Sequence, residues 1–339
     1  MSQAPAVSPL LPRFFLGLLL CLAWSACSVA APLSDTEIDR LFRVDQVLKA
    51  NIAQLEAETS LDKAFYTYQK EFADAVPARA KGPIDVKTIA RTMAGARFVF
   101  QGDDHATPRS QANTLDLLEF MTAGRGPVTL VLEWIDEGHQ KVVDAYLRGE
   151  ASLTAMRAKI QFDKLWGFSW KSYSRILAAA RQRGVRILLV ENLKKKASLT
   201  ARDGHITTVL AADQAAHPDM RYLVVYGEYH VFGRNHLSAK LAAKGFTPQV
   251  IFVSGTEAVY WQLLRQLKDP DRIGYATLAP GLFYIRNGSP LERHVAYRKS
   301  LMKLLEWSKG DLDTWVSDDE ATPRPAGATF DQLHATPRR

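Results

Sequence analysis

Two short stretches constrain the fold more than anything else in the chain. The first is Phe98-Val99-Phe100-Gln101-Gly102-Asp103-Asp104-His105, an apolar run ending in a glycine, two carboxylates and an imidazole. The second, Tyr222-Leu223-Val224-Val225-Tyr226-Gly227-Glu228-Tyr229-His230, repeats the pattern. Both read as a buried strand followed by Gly-acid-x-His. A continuous β-branched and aromatic run suits a strand covered on both faces, hence a parallel sheet flanked by helices. The glycine allows a sharp turn or a close backbone approach. Acid and imidazole then stand past the strand's carboxyl end, where open α/β sheets bind ligands.

The surrounding pattern agrees. Val128–Glu133, Val185–Asn192 and Gln249–Val253 are further strand-like runs, and helical spacing lies between them. Thr107-Pro108 opens one helix, Asp136 caps another, and Arg183-Gly184 closes a third. Strands alternating with helices imply right-handed β-α-β units. The expected fold class is α/β: a central, mainly parallel sheet with flanking helices over 95–256. An N-terminal helical segment (34–94) precedes it. This segment opens at a capping box, Ser34 with Glu37, carries Phe65, Tyr68 and Phe72 on a second helix, and passes through a linker, Pro77–Pro83. A C-terminal helical extension (257–308) follows, with a hairpin or irregular strand at Tyr275–Ile285. The last stretch, 309–339, has the composition of a disordered tail.

At 339 residues the chain can bury a full core. Its net charge of +7 is modest, and Lys194-Lys195-Lys196 is the one basic run, which reads as a solvated loop, so nucleic-acid binding is not expected. The N-terminus reads as a targeting segment over 1–30. Arg13 precedes an apolar run, Phe14 to Trp24, too short to span a bilayer. Ser28-Val29-Ala30 resembles a signal cleavage site, and Ser25-Ala26-Cys27 resembles the end of a bacterial lipobox with Trp24 at an aliphatic position. Lipidation at Cys27 ranks slightly ahead of simple cleavage. Cys21 and Cys27, both in this leader, are the only cysteines, so the mature chain has no disulfide and no thiolate site. The expected location is exported, periplasmic or outer-membrane, with a lipid anchor as the membrane contact; a homodimer is a further candidate state.

Four strands end in candidate ligands or acid/base groups: Asp103, Asp104 and His105; Glu133; Glu191 and Asn192; Glu228 and His230. In a parallel sheet these ends share one edge. Imidazole with carboxylate is the inventory of a divalent-metal site, with Asp104, His105, Glu133, Glu228 and His230 as the expected ligands of Mn, Co or Zn. It is equally the inventory of metal-free acid/base catalysis, with Glu133 or Glu228 as general base. Trp166, Phe168, Trp170 and Tyr173 cluster; core packing is the simpler reading and a flat wall for a planar ligand the functional one. Arg202-Asp203-Gly204-His205 reads first as a local ion pair. The chain has no G-x-S-x-G, no P-loop and no G-x-G-x-x-G.

Several stretches together resemble the ChaN-like haem-binding lipoproteins. They are Phe98–His105, Val131-Leu132-Glu133, Asp144–Gly149, Trp166-Gly167-Phe168 with Tyr173, Arg202–His205, and Gly227–His230 with His236-Leu237. The resemblance covers about 95–255. That family is similar in fold to a group that includes the Tiki metalloproteases and erythromycin esterases, in which paired Gly-x-x-His motifs and a glutamate build the site. The match carries over to His105, Glu133 and His230. One departure is Gly-Asp-Asp-His, where Gly-Glu-x-His is usual. The resemblance implies haem or tetrapyrrole binding linked to iron uptake. Tyr173, Tyr229, Trp166 and Arg202 are then the candidate cofactor contacts, Tyr146, Tyr173 and Tyr229 the candidate tyrosine ligands, and Arg109, Arg202 and Arg234 the candidate propionate partners. The alternatives are a divalent-metal-dependent hydrolase using the same cleft, and a binding or scaffold lipoprotein with a degenerate site.

Overall fold

The computed structural model of the chain describes residues 31–58, 63–193 and 197–308, with a short ribbon pairing Val316–Ser317 with Glu320–Pro323. The expected leader over 1–30, the Lys194-Lys195-Lys196 triplet and the rest of the expected tail over 309–339 lie outside the described residues. The chain divides into two units, Met1–Leu33 and Ser34–Arg339, and every element named below belongs to the second.

Helix α1 (Asp35–Glu58) starts at the capping box. The Ser34 backbone N–H donates to Glu37 Oε2 at 2.8 Å, and the Glu37 N–H donates to Ser34 Oγ at 3.3 Å. Helix α2 (Lys63–Ala75) buries Phe65, Tyr68 and Phe72. The stretch read as a linker instead runs into strand β1 (Gly82–Ile84). Its proline is tolerated because β1 is a sheet edge, where a missing N–H breaks no ladder. Asp85 caps α3 (Val86–Ala94) by accepting from the Thr88 N–H at 2.7 Å.

Next come β2 (Phe98–Asp103), α4 (Pro108–Ala123), β3 (Val128–Asp136), α5 (Gln140–Leu147), α6 (Leu153–Lys159), α7 (Phe162–Leu165), α8 (Trp170–Gln182) and β4 (Arg186–Glu191). After them run α9 (Leu199–Ala216), β5 (Arg221–Gly227), α10 (Glu228–Val231), α11 (Leu237–Ala243), β6 (Gln249–Val253), α12 (Glu257–Leu267), β7 (Tyr275–Ala279), β8 (Leu282–Ile285) and α13 (Pro290–Ser308). The expected α/β class, with a central, mainly parallel sheet and flanking helices, is what forms. One eight-stranded sheet runs β1-β7-β8-β6-β2-β5-β3-β4. From β8 to β4 all pairings are parallel, and β7 and β1 are added antiparallel at one edge. The segment read as a C-terminal extension therefore contributes strands to the sheet itself.

Strand pairing follows the period-2 rule, so alternate residues face opposite layers. Val99, Leu130, Leu132, Ile187, Leu223, Val225 and Val250 share one core with Ile89, Met93, Leu117, Leu118, Ile176 and Leu177 of α3, α4 and α8. On β2 and β5 the alternate positions Phe98 and Tyr222 stack at 4.9 Å. Each such fully buried side chain stabilises the fold by ~1.5–3 kcal/mol.

The topology fixes where a ligand can enter. β2 and β5 are central neighbours. The crossover leaving β2 passes β5 to reach β3, whereas the crossover leaving β5 passes β2 to reach β6. Right-handed connections that run in opposite directions from adjacent parallel strands lie on opposite faces of the sheet, which leaves a crevice at the strands' carboxyl ends. Those two strands are the ones that carry the Gly-acid-x-His endings.

Candidate functional site

The two endings interlock, and their glycines explain how. A Cβ on Gly102 would stand 3.0 Å from Glu228 Cγ and 3.1 Å from its Cα. A Cβ on Gly227 would stand 3.1 Å from His105 Nε2 and 3.3 Å from Glu133 Oε2. Each glycine thus leaves room for the acid or imidazole of the other ending. The freed space brings the Gly227 N–H to Glu133 Oε2 at 2.6 Å.

Glu133, at the carboxyl end of β3, lies between two imidazoles. His105 Nε2 is 3.7 Å from its Oε2, and His230 Nε2 is 3.9 Å from its Oε1. Each imidazole is backed by an aspartate on Nδ1: Asp103 Oδ2 at 2.9 Å for His105, Asp203 Oδ1 at 2.7 Å for His230. Asp103 is itself held by Ser110 Oγ at 2.6 Å, Gln111 Nε2 at 2.7 Å and the Tyr173 hydroxyl at 2.7 Å. The Tyr68 hydroxyl of α2 donates to Asp203 Oδ2. Behind Glu133, Arg202 pairs with Glu191 through Nε at 3.1 Å and Nη2 at 3.0 Å, and reaches Glu133 Oε1 at 3.4 Å.

The surroundings separate the two imidazoles in charge. Burial pushes His105 down, but the hydrogen bond and charge of Asp103, joined by Glu133 and Asp104, outweigh it and raise its pKa. Burial likewise opposes the charge of Asp103, yet its bond to His105 holds it below the usual carboxylate value. At His230 burial wins and carries the pKa down to about 4, while burial pushes Asp203 well up. Two imidazoles shifted in opposite directions thus flank Glu133. Titratable neighbours driven apart in this way can serve as acid and base.

The acids next to these imidazoles turn elsewhere. Glu228 accepts from the backbone N–H and hydroxyl of Ser254 and, at 3.2 Å, from the Gly255 N–H. Asp104 pairs with Arg293 Nε at 2.9 Å, and Arg293 Nη2 lies 3.4 Å from Glu228 Oε2. The expected metal set of Asp104, His105, Glu133, Glu228 and His230 is therefore split into two clusters. Among the described residues no group of three or more His, Cys, Asp or Glu side chains is arranged to hold a metal ion. The oxygens of Asp104 and Glu228 are engaged by Arg293 and Ser254, and those of Glu133 by Gly227 and Arg202.

A cavity of about 290 Å³ opens on this crevice, and more of its wall is apolar than polar. Asp103, Asp104, His105, Gly227, Glu228 and His230 form its floor. Ile52 of α1, Phe65 and Tyr68 of α2, Phe168, Leu199, and Arg293 and Tyr297 of α13 form its walls. Tyr229 also faces it. The Tyr229 oxygen accepts from Gln69 Nε2 at 3.1 Å, and its ring packs against Phe65 at 5.9 Å and Phe72 at 5.3 Å.

Of the expected cofactor contacts, only Tyr229 lines the cavity. Tyr173 is fully buried with its hydroxyl bound to Asp103. Trp166 packs edge-on against His105 at 4.8 Å as part of the core. Arg202 is held by Glu191. Tyr146 lies under Arg181 on α5, 5.1 Å from its guanidinium. Arg109 and Arg234 are exposed, Arg109 beside Asp116 at 4.0 Å. Residues that sequence reasoning passed over are Tyr68, Asp203 and Arg293. The Arg202-Asp203 pair was visible but read as local; both side chains instead reach back to strand-end groups. For Tyr68 and Arg293 the sequence offered only helical spacing.

Comparison with known proteins adds the following. Residues 89–221, under half of the chain, match the family described as "Haem-binding uptake, Tiki superfamily, ChaN". None of the curated proteins matches the chain. Among solved structures, the chain is similar to ChaN of Campylobacter jejuni, in a structure titled for its cofacial haem binding. The identity is 10% and the TM-score 0.40, over 51% of this chain and 87% of that one. It is similar to the C-terminal region of Pasteurella multocida toxin at 12% identity and a TM-score of 0.39, over 51% of this chain and 25% of that one. It is also similar to RRSP, an effector domain from Vibrio vulnificus, at 16% identity and a TM-score of 0.32, over 45% and 34%. The resemblance to the ChaN family is thus borne out over residues 89–221, a stretch that contains the first Gly-acid-x-His ending and stops before the second.

Proposed function

We propose that this chain binds haem or a related tetrapyrrole in the cavity above the β2–β5 crevice, in the service of haem or iron uptake. One observation carries the reading: in a chain whose core matches a haem-binding family, the cavity is walled by Ile52, Phe65, Phe168 and Leu199 and presents the Tyr229 phenol. Ligand sites of this kind are mainly apolar, with few orienting polar groups. The donor chemistry fits. Burial, then the charge of Glu228, holds the Tyr229 phenol up at about 12, so the free protein carries it neutral and coordination would have to displace its proton, with Gln69 donating to the oxygen. Tyr229 would hold the haem iron through its oxygen, with Phe65 and Phe72 fixing its ring. Bound haem would supply an iron centre open to axial coordination. The other candidate donors on the wall are engaged: His294 has Asp45 and Glu257 on its two ring nitrogens, and Tyr297 donates to Glu56 at 2.8 Å.

The test is titration of the purified protein with hemin. A saturable Soret shift that weakens at least tenfold in Tyr229→Phe supports the reading; a wild type that gives no saturable shift refutes it. Export belongs to the same reading, on a lipid at Cys27 or after cleavage behind Ala30. Mass spectrometry of the N-terminus from a bacterial host decides that part, and an intact Met1 would sink it.

A second reading rests on a different observation, His105 and His230 within 4 Å on either side of Glu133, with pKa values shifted in opposite directions. That arrangement suits acid/base hydrolysis of a ligand held in the same cavity. Turnover of an ester or amide panel, lost in Glu133→Gln while hemin binding persists, would favour it; inertness of the wild type towards the whole panel would count against it.

A further inference from the structure

Arg293 stands in the cavity wall on the first turn of α13, outside the stretch that matches the family. A guanidinium carries five N–H donors in a fixed fork. Its contacts with Asp104 and Glu228 use one on Nε and one on Nη2. The remaining donor on Nη2 and both on Nη1 meet no acceptor among the described residues. The fork is also held in place. Asp104 and Glu228 belong to the two different strand endings, and Glu228 is fixed in turn by Ser254 and Gly255. Ordering that is already complete before a ligand arrives is not charged against binding.

No other cation on the wall is placed in this way. Lys49 is more than half exposed and pairs with Glu257 at 2.7 Å. His294 has a carboxylate on each ring nitrogen. The arginines that sequence reasoning offered lie elsewhere, Arg202 on Glu191 and Arg109 and Arg234 on the surface. We infer that Arg293 is the anchor for a carboxylate carried by the cavity's ligand; this rests on the haem reading, under which the carboxylate is a propionate. Guanidinium and carboxylate match as planar forks, which gives both strength and orientation. The chain's own C-terminal helix would thereby set which acidic ligands the family core accepts.

The experiment compares hemin with hemin dimethyl ester on the full-length protein. Wild type and Arg293→Ala are titrated with each, and binding is read by the Soret band. A charge-assisted hydrogen bond of this kind corresponds to about a 10–100-fold effect. Esterification should weaken wild-type binding by that factor. Arg293→Ala should weaken hemin binding comparably and show no further loss with the ester. Because Arg293→Ala strands two carboxylates, Asp104→Asn/Arg293→Ala is measured beside it, with thermal melts to confirm folding. The double variant should bind both porphyrins equally. An equal ester penalty in wild type and in a folded Arg293 variant overturns the anchor while leaving the haem reading intact. Binding of neither porphyrin by the wild type overturns both.

Discussion

His294 ties α13 to α1 and α12, and its removal has a calculable cost. Its Nδ1 lies 2.8 Å from Asp45 Oδ1 on α1, and its Nε2 lies 3.0 Å from Glu257 Oε1 on α12. Asp45 is fully buried and accepts one further bond, from Trp261 Nε1 at 3.1 Å. Burial lowers the pKa of His294, but Glu257 and Asp45 more than reverse this, so it is raised above 6.5. Burial would raise Glu257, yet His294 and Lys49 bring it from 4.5 down to about 2. A raised histidine contributes stability that is complete below pH 6.5 and lost as pH climbs through its folded pKa. A depressed glutamate contributes stability present above pH 4.5 and lost as pH falls through about 2, worth about 3 kcal/mol for this shift. The cluster therefore stabilises most between about pH 4.5 and 6.5. His294→Gln removes the positive charge and leaves Asp45 buried without it, a loss of about 3–5 kcal/mol. For a chain of this size that corresponds to a fall of ~5–8 °C in Tm at pH 5.5. Circular dichroism melts from pH 4 to 10 are the assay. The variant should lose the alkaline decline attributable to His294. A variant curve parallel to wild type across the alkaline arm, or a shift under about 2 °C, would refute the reasoning.

Two further perturbations address the floor of the cavity. Gly227→Ala places a methyl 3.1 Å from His105 Nε2 and 3.3 Å from Glu133 Oε2, so it should cost about 1–3 kcal/mol and abolish ligand binding. Gly204→Ala, in the interior of α9 with nothing within 4 Å of the added carbon, should instead stabilise by up to ~1 kcal/mol; denaturant melts that rank the pair the other way would contradict the packing argument. Glu133→Gln removes a charge that raises both imidazoles, so NMR titration should show the pKa of His105 falling and that of His230 moving below its value of about 4.

Much of the fold could be read locally. The β2 and β5 runs are apolar at most positions on both sides, as suits strands covered on both sheet faces. The capping box at Ser34 and the glycine after α8 act within a few residues, so they too were legible. Where the sequence misled, the deciding contact was distant. Pro83 suggested a linker, but sheet order put it on an edge strand. For Tyr173 and Trp166 the simpler reading, core packing, is what forms: one bonds Asp103 and the other packs edge-on against His105.

The candidate site divides along the same line. The sequence by itself determined the floor: a strand ending in Gly-acid-x-His fixes its groups at a carboxyl edge through backbone geometry within eight or nine residues. Tertiary structure alone decided in which direction the pKa of each imidazole would move. His105 and His230 occupy matching places in matching motifs, yet Asp103 and its donors favour the proton on one while burial removes it from the other. The roof was decided there as well. Phe65, Tyr68 and Arg293 come from segments more than 60 residues outside the second ending, and only the packing of α1, α2 and α13 over the crevice brings them to it. Helical periodicity reports that a face is buried, but it carries no information about what that face will meet.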